Sequence, residues 1–118
     1  MEMTNDERIS KELRKLKRIF KNIPKDKTSV VEGLMKNAAF MAITLEDLQD
    51  DINERGISES YENTAGKIAT KKTPEADIYN SMIKNYLAVI KQLVDLLPKD
   101  ETTKAEDELV NFIQKAVR

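Results

Sequence analysis

Positively charged side chains are concentrated near the start of the chain, in a segment that could bind phosphate. Between Arg8 and Lys27 nine basic residues are opposed by Glu12 and Asp26 alone, a net charge of +7 (nine minus two). Cations clustered along one helix supply the sequence-independent part of DNA affinity. The alternative is the solvated face of an ordinary amphipathic helix. We predict as DNA-binding residues Arg8, Lys11, Arg14, Lys15, Lys17, Arg18 and Lys21.

Acidic side chains are concentrated in the middle of the chain. Between Leu45 and Glu62 seven acids accompany the single base Arg55, a net charge of −6 (one minus seven), so a chain with a formal net charge of −1 is polarised along its length. Asp47, Asp50 and Asp51, with Glu54, could attract a divalent cation. A solvated helix face explains them better, and no metal site is predicted.

The 118 residues contain no Cys and no His, which removes the usual nucleophiles, bases and zinc ligands of many enzymes. There is no glycine-rich phosphate loop and no Ser with a neighbouring base. We therefore predict a protein that is not an enzyme and has no cofactor. The length is that of one domain, 1–118. No apolar run reaches membrane-spanning length and the first residues lack a signal-peptide core, so we expect a soluble, cytoplasmic protein.

The basic residues belong to a predicted first helix at 5–23. Asn5 is its expected N-cap, followed by two acids in the first turn, where the helix dipole favours them. Pro24 ends the helix, because the residue before a proline is pushed out of the helical region. Its apolar stripe, spaced by four and three residues, comprises Ile9, Leu13, Leu16, Phe20 and Ile23.

Two longer helices are predicted to form an antiparallel helical hairpin over 26–97. The first starts between Asp26 and Ser29, where Ser29 and Glu32 have capping-box spacing, and it stops before Gly56. The second occupies 75–97, with Thr73 as N-cap and Pro74 in its first turn. The connector 57–73 has no helical period, and we expect it to be a mobile, irregular link. Its residues Tyr61, Lys71 and Lys72 are secondary candidates for contacting a ligand.

The apolar stripes of this hairpin are wider than one partner helix can cover. The surplus must be buried against a third helix or against another copy of the chain. Taking the second alternative, we predict a ring-like homo-oligomer whose subunit interface includes Phe40, Ile43, Ile83, Leu87, Ile90 and Val94.

The last segment, 102–118, is predicted to form a short amphipathic helix after a polar hinge. Leu109, Phe112 and Ile113 give it one apolar face. A helix of this length is marginal alone. It therefore either docks on the hairpin or binds a partner, and we assign these three residues to partner binding. The predicted fold class is all-α.

Three stretches of the sequence resemble a known family. They are AAFMAITLEDLQDDINERG, the connector beginning SESYEN, and KKTPEADIYNSMIKNYLAVIKQLVDLLPKDE. Together they resemble the short small-terminase subunits of tailed bacteriophages and prophages of Gram-positive hosts. The resemblance covers roughly 16–101.

This resemblance implies a non-enzymatic component of viral DNA packaging. Such subunits form rings, recognise the packaging site in double-stranded DNA, and load or regulate the large subunit that holds the ATPase and nuclease. It implies DNA, the large terminase subunit and further copies of the chain as partners, and the host cytoplasm as location. The alternative class is a structural or regulatory helical adaptor that binds a protein and no nucleic acid.

Overall fold

The computed structural model describes residues 3–98 together with 107, 110 and 111. In chain order it contains helix α1 (Asn5–Ile19), a 3-10 turn (Lys25–Lys27), helix α2 (Thr28–Arg55), strands β1 (Ser58–Glu62) and β2 (Ile68–Lys72), and helix α3 (Pro74–Asp95). The described part is therefore mostly helical, as predicted. It also contains a small two-stranded sheet, which an all-α prediction did not include.

The ends of α1 differ slightly from the prediction. The Thr4 hydroxyl, and not Asn5, caps the helix by accepting a hydrogen bond of 3.1 Å from the Glu7 backbone N–H. The regular helix stops at Ile19 and the chain continues through a turn to Pro24. Four residues lie between, and the last of them, Ile23, must leave the helical region because it precedes proline.

Helix α2 begins without the predicted capping box. No side chain caps its N-terminus, and the preceding 3-10 turn leads directly into Thr28. Its other end is as expected: Gly56 adopts a φ of 83°, which favours glycine, and its N–H donates to the Ile52 carbonyl at 2.7 Å.

Helix α3 starts as predicted and runs back along α2. The Thr73 side chain accepts a hydrogen bond from the Ala76 N–H, and Pro74 occupies the first turn. Arg55, the last residue of α2, forms an ion pair of 3.3 Å with Glu75 at the start of α3. The two helices therefore pack in opposite directions, which agrees with the predicted helical hairpin.

The core lies where α1, α2 and α3 meet. Ala38 and Ala39 of α2 are fully buried, and such small side chains let neighbouring helices approach closely. Gly33 does not serve this purpose, because a Cβ built there would meet nothing within 4 Å. The buried cluster comprises Leu16, Phe20, Val31, Met35, Ala38, Ala39, Ala42, Leu45, Tyr86, Ile90, Leu93, Val94 and Leu97.

The connector is an antiparallel β-hairpin, so the prediction of an irregular link is wrong. Ser60 pairs with Thr70 at the centre of the ladder, and Ser58 with Lys72 at its base. At the tip the Asn63 side chain accepts hydrogen bonds from the N–H groups of Ala65 (2.9 Å) and Lys67 (3.1 Å). Gly66 there has a φ of 76°. The turn is thus built by an Asn and a Gly at positions that suit them.

Candidate nucleic-acid interface

Helix α1 is fixed to the rest of the protein along one side. Leu16 and Phe20 are buried in the common core. At the other end of the helix, Arg8 forms ion pairs with Asp47 at 2.9 Å and with Glu46 at 3.7 Å, both on α2. The pKa of Arg8 is raised, first by its hydrogen bond to Asp47 and then by the acidic charges around it. Arg8 is therefore engaged in holding α1 on α2, and its predicted DNA-binding role loses support.

The other six predicted cations fall into two groups, and all but Lys21, which lies in the turn after the helix, are on α1. The first group lines an open cleft of about 750 Å³, together with Arg8, Met3, Glu12, Ile43 and Glu46. The first group follows the helical spacing i, i+3, i+4, i+7, which places its members on one face. It comprises Lys11, Arg14, Lys15 and Arg18.

Lys17 and Lys21 make up the second group. They do not line the cleft. Lys17 projects to one side of the row, next to Arg14 at spacing i, i+3, and Lys21 lies in the turn that follows α1. Both are exposed, as are Lys11, Arg14 and Arg18, whereas Lys15 is half-buried. The structure thus divides the predicted cations into a cleft-lining row and a separate pair. The sequence alone treated them as one surface.

Glu12 is a member of the cleft that the sequence analysis did not single out. It is 8% exposed, and within the described part of the chain its Oε2 has no hydrogen-bond partner. Burial raises the pKa of this carboxyl, and the positive charge of Lys15 opposes that shift. The sequence did indicate that Glu12 could be buried, since it lies one turn before Leu16 on the apolar side of the helix.

Tyr86 of α3 resembles Glu12, because it too is buried and carries a polar atom without a hydrogen-bond partner among the described residues. It is 2% exposed, and the atom without a partner is its hydroxyl oxygen. Burial raises the pKa of Tyr86, and the negative charge of Glu12 raises it further. The contact of α1 with the helical hairpin therefore buries two polar groups, in addition to the partly exposed ion pairs of Arg8.

The predicted subunit interface is largely used inside the single chain. Ile43, Ile90 and Val94 are buried, and Ile83 is half-buried against the core. Helix α1 supplies the third helix that the sequence analysis left as an alternative. Ile43, Ile90 and Val94 are covered within the single chain, whereas Ile83 keeps part of its surface exposed. Phe40 and Leu87 do remain exposed, at 55% and 45%.

The predicted partner-binding residues Leu109, Phe112 and Ile113 lie outside the described residues. In that segment Asp107, Val110 and Asn111 are described, and all three are helical and exposed.

Two further features of the described residues bear on the site. No group of three or more acidic side chains there could hold a metal ion. None of the described helices combines the length and the apolar character needed to cross a membrane.

Comparisons with protein-family models, with curated proteins and with solved structures found no match for this chain. The described residues define a helical protein with a cation-lined cleft where α1 meets α2.

Proposed function

We propose that this protein is a small terminase subunit, a non-enzymatic component of viral DNA packaging in the host cytoplasm. In this proposal copies of the chain assemble into a ring, bind the packaging site in double-stranded DNA, and load the large ATPase and nuclease subunit. The observation that carries the proposal is the row Lys11, Arg14, Lys15 and Arg18 along one open cleft of a chain that is nearly neutral overall.

The packing of α1 supports a role for this row in binding phosphate. Because Leu16 and Phe20 are buried, the helix cannot rotate to hide its cations, and Lys11, Arg14 and Arg18 stay exposed. Arg and Lys side chains held in this way contact phosphate oxygens without reading the bases. Repetition of the row around a ring would create a strongly positive surface from nearly neutral subunits.

The test compares two double charge reversals of equal charge. The cleft variant is Lys11→Glu with Arg18→Glu, and the control is Lys17→Glu with Lys21→Glu, two cations that do not line the cleft. All four side chains are exposed, so neither variant disturbs the core. Duplex binding is measured by fluorescence anisotropy over a series of salt concentrations.

We expect the cleft variant to bind duplex DNA at least tenfold more weakly than the control. Each phosphate contact contributes about 0.9 to the slope of log affinity against log salt, so two lost contacts reduce the slope by about 2. Equal losses in both variants would mean that net charge matters and the cleft does not. A monomeric wild type without salt-sensitive DNA binding would favour the helical adaptor instead.

Self-association in the proposed ring has fewer candidate residues than the sequence suggested. Phe40 and Leu87 are the predicted interface residues that remain exposed, and exposed large apolar side chains are often covered by a partner. Leu87→Glu tests this role by multi-angle light scattering. A lower oligomeric mass is expected, and an unchanged mass would remove Leu87 from the interface.

The segment 102–118 is proposed to contact the large terminase subunit through Leu109, Phe112 and Ile113. The support is an apolar face on a segment separated from the helical hairpin by Pro98, a pattern suited to a helix that binds in a groove. Truncation after Asp100 should preserve the oligomer and its melting temperature while abolishing binding to the large subunit. A truncated protein that loses its oligomeric state would show that the segment is structural.

A further inference from the structure

The β-hairpin projects from the helical bundle with almost no support from it. Every residue of β1 is exposed, and in β2 Ala69 alone is half-buried. At the base of the hairpin the Thr73 N–H donates to the Ile57 carbonyl at 3.0 Å.

The hairpin exposes large apolar side chains and unpaired strand edges, both of which a binding partner could cover. Ile68 is 81% exposed, the highest value among the large apolar side chains of the described residues, and Ile57 and Tyr61 are exposed as well. In the described chain each strand is paired on one side, so the outer edge of β1 and the outer edge of β2 present unpaired backbone groups. A lone two-stranded sheet is marginally stable, and open edges are templates for further strands.

The charges of the two strands differ in sign. Strand β1 carries Glu59 and Glu62 and no base, while β2 carries Lys71 and Lys72 and no acid. The ion pairs that these lysines form within the chain, to Glu59 and Asp77, are exposed and 3.6–3.7 Å long. Such pairs are weak and leave both strands charged.

These charges decide how two hairpins would meet edge to edge. A β1–β1 pairing joins two strands that each carry two acids, and a β2–β2 pairing joins two strands that each carry two lysines. Strands of like net charge repel each other, most strongly where like charges fall directly opposite one another. Pairing of β1 with β2 brings opposite charges together. If neighbouring copies are related by a rotation about an axis parallel to the strands, β1 has the same direction in both copies. The β2 strand of one copy is then antiparallel to the β1 strand of the next.

We propose that the β2 edge of one copy pairs with the β1 edge of the next copy, so that the hairpins form one continuous antiparallel sheet. In this pairing the two contacting surfaces are different, because one copy contributes its β2 edge and the other its β1 edge. Such head-to-tail contacts generate rings when the rotation closes. The inference rests on the self-association in the proposed function, and it is independent of DNA binding.

A cross-linking experiment tests the pairing directly, because the native chain has no cysteine. Ser60→Cys marks β1 and Thr70→Cys marks β2. These positions are cross-strand partners, so they share a face of the sheet, and both are exposed. The two full-length variants carry different tags and are co-expressed. They are then treated with an oxidant or with a short bismaleimide, which tolerates an offset in register.

The expected product is a cross-linked dimer that contains one of each tag. Ser60→Cys alone and Thr70→Cys alone should give far less dimer. Lys84→Cys, at an exposed position on α3, measures random collision. Dimers that form mainly between identical strands would overturn the proposal in favour of two-fold pairing.

A charge exchange provides the second measurement. Lys71→Glu with Lys72→Glu should weaken association about fivefold, since in the register of the chain's own hairpin it places like charges opposite each other at the directly opposed positions 59 and 71, which destabilises a strand pair by up to about 1 kcal/mol. Co-expression with a Glu59→Lys, Glu62→Lys chain should restore it, because each variant then meets opposite charges on its neighbours. Absence of rescue would contradict the pairing.

Light scattering separates this inference from the proposed function. An oligomer without β1–β2 cross-links would overturn the hairpin joint and leave the ring intact. A monomer at tens of micromolar protein would overturn both.

Discussion

The helical bundle and the β-hairpin are stabilised in different ways. In the bundle Leu93 and Ala38 have no exposed surface, and the helices hold one another through apolar contacts. In the hairpin the turn is held by local hydrogen bonds to Asn63, and Ile68 is left in solvent. Stability of the chain therefore comes from the bundle, and the hairpin is free to serve contacts with other molecules.

The largest expected effect contrasts one apolar side chain from each region. Leu93→Ala should lower the free energy of unfolding by about 2–5 kcal/mol, because a fully buried Leu loses its contacts and leaves a cavity. Ile68→Ala should change it by less than about 0.5 kcal/mol. Urea denaturation followed by circular dichroism, at equal protein concentrations, measures both. A large loss for Ile68→Ala would mean that the hairpin is part of the stable core.

An intermediate effect is expected from the buried carboxyl in the bundle. The pKa of Glu12 is raised in the folded state, so the folded chain binds its proton more tightly than the unfolded chain. Stability then decreases as pH rises from the unfolded pKa to the folded pKa, and stays lower above it. Glu12→Gln should therefore stabilise the protein at pH 7 by about 1 kcal/mol, the order of the cost of an unpaired buried group.

The control for this prediction is acid pH. At a pH below the pKa that Glu12 has in the unfolded chain, Glu12 is protonated in both the folded and the unfolded state. The stability advantage of Glu12→Gln over the wild type should therefore shrink there. If Glu12→Gln is destabilising at pH 7, the carboxylate has a favourable partner in solution.

The smallest expected effect concerns the ion pairs of the two regions. A double-mutant cycle of Arg8→Ala and Asp47→Ala should give a coupling of about 0.5 kcal/mol, typical of a partly exposed pair. The same cycle for Lys71 and Glu59, which are farther apart and more exposed, should give about zero. Equal coupling energies would mean that the ion pairs of the bundle and of the hairpin contribute equally to stability.

The helices could be predicted because their buried positions repeat every three or four residues, and Thr73, Pro74 and Gly56 mark ends by local chemistry. The β-hairpin could not be predicted in that way, since neither strand buries a face and no apolar alternation exists. Its one signal was the pair Asn63 and Gly66, spaced to form a turn.

The candidate site was predicted in part for similar physical reasons. Charge along the sequence located the cations of α1. It did not show that Arg8 is occupied by Asp47, or that Lys17 projects away from the cleft. A helical wheel shows that an apolar stripe is too wide, but it does not identify what covers the excess. Ile90 and Val94 were assigned to another copy for that reason, whereas the chain itself buries them.

The hydrogen bond from Thr73 to Ile57 has a kinetic consequence. It closes the base of the β-hairpin, so once the hairpin exists the ends of α2 and α3 are joined by a link of about two residues instead of 17 (Ile57–Thr73). Each halving of a loop saves about 0.6 kcal/mol of closure entropy, and these three halvings save about 2 kcal/mol. Hairpin formation in microseconds would thus let the two helices zip together from their joined ends.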